Sequence, residues 1–211
     1  MNGSLSAIVL AGGQSSRMGQ DKAHILIQGI PLLRRTCEVA LQCSSQVFVV
    51  TSRVEGYRSL LPDRCQLIQE RFVSNESSPH GPLVGFSQGL LLVQTVWVLL
   101  LACDLPYLQA DILQRWMAQI DDKEEVSAWL PQTEHGWEPL CGFYQTACLQ
   151  SLLLFIQQGG RSFQSWLAGE VVRAIAFSSD PVQQQQERRM LFNCNTPEDL
   201  ATLGQFGRGL I

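Results

Sequence analysis

Apolar residues gather into six runs of strand length: "SAIVLA" at 6–11, "QVFVVTS" at 46–52, "CQLIQE" at 65–70, "VWVLLLACD" at 96–104, "VSAWLP" at 126–131 and "VVRAIAF" at 171–177. The segments between them keep a different rhythm. In "PLLRRTCEVALQC" at 31–43, Leu32, Leu33, Val39 and Ala40 fall near one helical face and Arg34, Arg35 and Glu38 near the other, the spacing of a helix lying on a core. Helices also fit 83–93, 109–120, 146–157 and 197–205. The last opens on Thr196, Pro197, Glu198 and Asp199: a hydroxyl cap, a first-turn proline, then acids facing the positive end of the helix dipole. Strands alternating with helices predict an α/β fold, a three-layer α/β/α arrangement around a mostly parallel, Rossmann-like sheet. The runs at 6–11 and 96–103 are apolar at successive positions, which puts them mid-sheet and covered on both faces. "FVSNESSPHGP" at 72–82 and "PQTEHGWE" at 131–138 read as surface loops, and the glutamines at 183–186 as a short low-complexity spot.

Composition narrows the class. With 211 residues and 45% hydrophobic content, the chain suits one well-buried core, so residues 1–211 are expected to form a single domain. A formal charge of −4 leaves no basic excess for a run of nucleic-acid phosphates. "GLLLVQTVWVLLLAC" at 89–103 imitates a membrane span, but Gln94 and Thr95 interrupt it, and a helix followed by a buried strand explains it without a membrane. The apolar opening at 7–11 runs straight into glycines and reads as a first strand, not a targeting signal. Seven cysteines, odd in number and without close CxxC pairs, fit neither a disulfide framework nor a zinc site; reduced packing thiols in a cytoplasmic protein are expected.

Two features carry candidate chemistry. The first strand ends in "IVLAGGQSSRMGQDK" at 8–22. Glycines there allow close backbone approach to an anion at the strand's carboxyl end, the usual ligand position in open α/β sheets, and Arg17 and Lys22 would add cationic arms. An ordinary tight turn explains the glycines equally well. Lys22 is nonetheless one of only two lysines in the chain, the other being Lys123. The GxGxxG pattern is absent, and Gln20 and Asp21 separate Gly19 from Lys22, which breaks the GxxxxGK[ST] register, so neither a dehydrogenase nor a P-loop NTPase is supported.

Asp104 is the second feature. It follows eight consecutive apolar residues, Val96 to Cys103, and precedes Leu105 and Pro106. An unpaired carboxylate at such a position is costly unless it lies at the mouth of the sheet. Magnesium, which takes one or two carboxylates together with phosphate oxygens and water, would resolve that cost; a helix cap or turn is the plain alternative.

"LAGGQSSRMGQDK" closely resembles the LAGGxSxRMGxDK signature of the molybdenum cofactor guanylyltransferases, the MobA type, within the nucleotidyltransferase superfamily. "GPLVGF" at 81–86, "ACDLPYL" at 102–108, "EPLCGFY" at 138–144 and "NCNTPEDL" at 193–200 resemble that family's GPLAG, CDxP, PLxAxY and NxNTPEDL blocks in the same order. The resemblance implies a nucleotidyltransferase fold and transfer of GMP from GTP to molybdopterin or its molybdenum-loaded form, with pyrophosphate released. It also implies GTP binding by Leu10, Ala11, Gly12 and Lys22, to which the physical argument adds Gly13 and Arg17. Asp104 becomes the magnesium ligand, with Asn195, or its neighbour Asn193, as a second polar ligand. Glu70, at the end of the third strand, is the nearest match to the acid that accepts hydrogen bonds from guanine. The asparagine expected after the second strand is absent; Thr51 and Ser52 stand there. Glu138 and Arg161 are expected on the pterin side, and His135 is favoured over His80 as a substrate contact. Partners implied are molybdoenzymes and molybdenum-insertion proteins. The rivals are CMP transfer to the same pterin, nucleotidyl transfer to a sugar phosphate, and a non-catalytic cofactor-binding partner of molybdoenzymes.

Overall fold

All six apolar runs form strands, each shorter than its run. They are β1 (Ser6–Leu10), β4 (Gln46–Thr51), β5 (Cys65–Gln69), β6 (Trp97–Ala102), β7 (Ala128–Leu130) and β11 (Val172–Ala174). Two small hairpins stand outside the main sheet, β2 (Leu26–Ile27) with β3 (Ile30–Pro31) and β8 (Gln132–Thr133) with β9 (Gly136–Trp137). The second hairpin structures the expected loop at 131–138. The structure, a computed structural model, describes residues 5–12, 21–71, 81–122, 124–196 and 198–199. Arg17, Gly13, His80 and most of the helix expected at 197–205 lie outside the described residues.

Among the described residues the main sheet has seven strands, in the order β11-β7-β10-β6-β1-β4-β5. The additional member is β10 (Cys141–Gln145), which pairs antiparallel with both β6 and β7, while β1 with β4, β1 with β6, β4 with β5 and β7 with β11 are parallel. Side-chain alternation divides the core in two. Ala7, Val9, Val47, Val49, Leu99, Leu101 and Phe143 face α1 (Leu32–Cys43), α3 (Ala110–Met117) and Met190 of α6 (Pro181–Met190). Ile8, Leu10, Phe48, Val50, Val98, Leu100 and Tyr144 face α2 (Pro82–Leu90), α4 (Leu149–Gln157) and α5 (Phe163–Leu167). β1 and β6 are buried at every position, as the unbroken apolar runs require.

Helix α1 buries Leu32, Leu33, Thr36, Cys37 and Ala40, and Arg34 pairs with Glu38 at 2.9 Å on its outer face. The glutamine run is part of α6, where Asp180 caps the N-terminus by accepting from Gln183 N–H at 2.9 Å. Residues 89–103 resolve into the end of α2, a turn and β6, and no described helix is long and apolar enough to cross a membrane. All seven cysteines are free, four of them buried. Trp97, Trp116 and Trp166 are core residues, each buried in the interior.

Winding positions the site. From β1 the chain crosses through α1 on one face to β4 and β5; it then returns through α2 on the other face to β6, on the opposite side of β1. β1 and β6 therefore flank a topological switch point, where the two connections leave a crevice beyond the carboxyl ends of the strands.

Candidate functional site

The strand ends are tied at matching heights. Leu10 O accepts from Cys103 N–H at 3.1 Å, Val50 O from Ala11 N–H at 2.9 Å, and Thr51 O from Glu70 N–H at 2.8 Å. Above the switch point lies a cavity of about 170 Å³. Leu10–Gly12 from the end of β1 and Ala102–Asp104 from the end of β6 form its floor, with Asp21, Lys22, Tyr57, Pro82 and Leu140 at its sides.

Lys22 and Asp104, 82 residues apart in sequence, meet here: Lys22 Nζ is 2.9 Å from Asp104 Oδ2. The same ammonium donates to Asn195 Oδ1 at 2.5 Å. Asn195 arrives because the closing segment docks on the aspartate's own backbone, Cys194 N–H donating to Asp104 O at 2.9 Å. Asp199 holds the next turn, accepting from Asn195 N–H at 2.7 Å and Thr196 N–H at 2.8 Å, and the Asn195 bond above all keeps its carboxyl below the usual range. Both the lysine and the aspartate side chains are under one-fifth exposed, so their attraction is less screened than that of a surface pair.

The donor set fits a hard divalent cation. Asp104 and Asn195 present two oxygens that converge on one positive charge, and magnesium is bound by such sparse oxygen sets when phosphate oxygens and water complete the shell. Among the described residues, no group of three or more histidines, cysteines, aspartates and glutamates is placed to hold a metal unaided. Helix α2 begins at the cavity, with Gly81 in the left-handed region (φ 81°) turning the chain into Pro82 at the first helical position. Its positive end adds to the lysine's attraction for an anion.

Glu70 comes to the same place. A Cβ at Gly12 would lie 3.5 Å from Glu70 Oε2, and one at Gly85 would lie 3.9 Å from Glu70 Cδ, so the carboxylate rests against the glycine at the end of β1. Gly12 itself is not in the left-handed region. It keeps bare backbone beside a carboxylate.

The other expected residues lie farther out. Glu138, half-buried at the foot of the second hairpin, accepts from Thr133 Oγ1 at 3.2 Å, and burial raises its carboxyl above the usual value. Two residues farther along the chain, Leu140 lines the cavity. Arg161 directs one guanidinium nitrogen to the carbonyls of Ile156 and Gly160, at 2.9 and 2.8 Å, which ties it to the loop after α4. Asn193 donates to Leu191 O at 3.4 Å, and His135 is exposed beside Glu134. Sequence reasoning passed over Tyr57 and the side chain of Asp21, whose contact spans 36 residues with no periodic signal.

Comparison with known proteins bears on the family and the fold. Residues 7–173 match the family described as MobA-like NTP transferase domain. A protein of Trichormus variabilis named probable molybdenum cofactor guanylyltransferase is 52% identical over 96% of this chain and 92% of its own length. One of the same name from Synechococcus elongatus is 39% identical over 94% of this chain and 97% of its own. Among solved structures, molybdopterin-guanine dinucleotide biosynthesis protein A of Archaeoglobus fulgidus superposes with a TM-score of 0.73 at 21% identity, covering 97% of this chain and 100% of that one.

Proposed function

The chain belongs to the MobA-like NTP transferase family, and from that premise we infer that it is a molybdenum cofactor guanylyltransferase. It transfers GMP from GTP to molybdopterin or its molybdenum-loaded form. A terminal phosphate oxygen of the pterin attacks the α-phosphorus of GTP; the new oxygen–phosphorus bond forms as the bridge to the β-phosphate breaks, and pyrophosphate leaves with that electron pair. The attacking oxygen is already ionised near neutral pH, so no protein nucleophile or general base is required.

The observation that carries this reading is the convergence of Lys22, Asp104 and Asn195 at the ends of β1 and β6. In it Lys22 neutralises charge that builds on the phosphates during transfer, and the bare backbone of Leu10–Gly12 lets the nucleotide approach the sheet. Asp104 and Asn195 would hold magnesium, which when bound supplies positive charge to the triphosphate oxygens. Glu70, beside Gly12, accepts from the two N–H groups on the guanine edge. Glu138 and Arg161 are assigned to the pterin side; Gly13 and Arg17, assigned to the phosphates from the sequence, lie outside the described residues.

The test is direct. Purified protein, molybdopterin and Mg²⁺ are incubated with GTP or with CTP, and pyrophosphate and the dinucleotide product are followed by chromatography. GTP alone should yield both products in equal amounts. Equal use of CTP, or no pyrophosphate from GTP, would overturn the assignment.

A further inference from the structure

We propose that Tyr57 is a positioning residue that sets the orientation of Lys22 through the carboxylate of Asp21, an inference that rests on Lys22 serving the triphosphate. The Tyr57 hydroxyl stands 2.9 Å from Asp21 Oδ1 and 2.8 Å from Oδ2, centred on the carboxylate. Asp21 Oδ1 also accepts from Ala23 N–H at 3.1 Å, capping the single 3-10 turn Lys22–His24. That turn is closed by His24 N–H to Asp21 O and Ile25 N–H to Lys22 O, both at 3.1 Å. The one carboxylate thus faces the tyrosine on one side and the backbone bearing Lys22 on the other.

The tyrosine is itself well anchored. Tyr57 is only 4% exposed, its ring meets that of His24 edge-on at 5.6 Å between centroids, and its backbone is bonded on both sides, to Val54 O at 3.3 Å and from Leu60 N–H at 2.9 Å. Arg53 and His24 also approach the carboxylate, at 3.6 and 3.8 Å, but both are about half or more exposed and act in water. Burial first, and then the Asp21 contact, push the phenol above its ordinary value, which favours the protonated, donating form. The lysine has four single bonds of freedom and must reach two oxygens at once. Fixing its backbone from a buried anchor removes much of that freedom before nucleotide arrives.

Because the chain has two lysines, the effect can be read without nucleotide. Full-length protein is briefly acetylated with acetic anhydride and digested, and modification at Lys22 is expressed relative to Lys123 by mass spectrometry. Tyr57→Phe keeps the ring and removes only the hydroxyl; it should raise the Lys22-to-Lys123 ratio about threefold or more as local order is lost. In guanylyl transfer the same variant should lose about 10- to 100-fold in kcat/KM. In a Lys22→Ala background it should lose nothing further, because both changes act through one group. Asp21→Asn, which leaves Tyr57 untouched, should raise the labelling ratio in the same way. An unchanged ratio in both variants overturns the proposal, as does a Tyr57→Phe loss that multiplies fully with that of Lys22→Ala. A preference for CTP would instead overturn the nucleotide assignment, while the labelling ratio still decides the role of Tyr57.

Discussion

One ammonium group is shared by two oxygens from distant parts of the chain, and this arrangement separates binding chemistry from folding. Lys22 and Asp104 are each under one-fifth exposed but open onto the cavity, where water can take the ammonium's place, so Lys22→Ala should cost about 1–3 kcal/mol and lower the melting temperature by about 2–12 °C. Its loss from the transition state is a different matter. Removing a preorganised cationic donor from a phosphate-transfer site costs about 100- to 1,000-fold in turnover. Steady-state guanylyl transfer measured beside a melting curve checks both halves: a variant that melts normally and turns over normally would exclude Lys22 from the reaction. Gly12 illustrates the same separation, since space for a Cβ exists there at ordinary contact distances and its bareness matters only to whatever lies over the backbone.

At the scale of elements, the antiparallel strand β10 is the member that leaves least room. A Cβ on Gly142 would lie 2.4 Å from Leu130 Cδ2 and 3.0 Å from the Trp129 carbonyl oxygen, and the second of these is backbone that cannot turn aside. Gly142→Ala should therefore destabilise the fold by about 1–3 kcal/mol, seen as a melting point lower by roughly 2–12 °C. A melting point at the wild-type value would mean that β7 and β10 can separate at no cost. This strand also marks where the sequence stopped being legible. β1 and β6 announce themselves through unbroken apolar runs, whereas "CGFYQ" mixes a glycine and polar atoms into five residues and has the look of a motif before that of a strand. Helix α6 was hidden for a related reason: its four glutamines have no apolar rhythm, and only Glu187 and Met190 turn inward. The site followed the same division. Leu10–Gly12, Lys22 and Asp104 stand beside strand ends and could be read locally, but the pairing of Asp21 with Tyr57 depends on where two loops meet.

Across the whole molecule, the site closes only when the last described segment reaches the first. Asp199 bears on this through its bonds to the N–H groups of Asn195 and Thr196. Since its folded-state pKa is depressed, its contribution is complete above the ordinary aspartate value of about 3.9 and is lost as the pH falls through the lower folded value. Stability should thus be insensitive to this group between about pH 6 and 8 and should fall at the acid end, and Asp199→Asn should flatten that acid limb in a melting series. An unaltered limb would assign the acid loss to other carboxylates. The bond from Lys22 to Asn195 spans 173 residues. A chain emerging from the ribosome can lay down β1, β4, β5 and β6 and bring Lys22 beside Asp104 long before the third partner has been synthesised. In such a chain the ammonium would have one of its two oxygens, and it would gain the other only once Asn195 has been made.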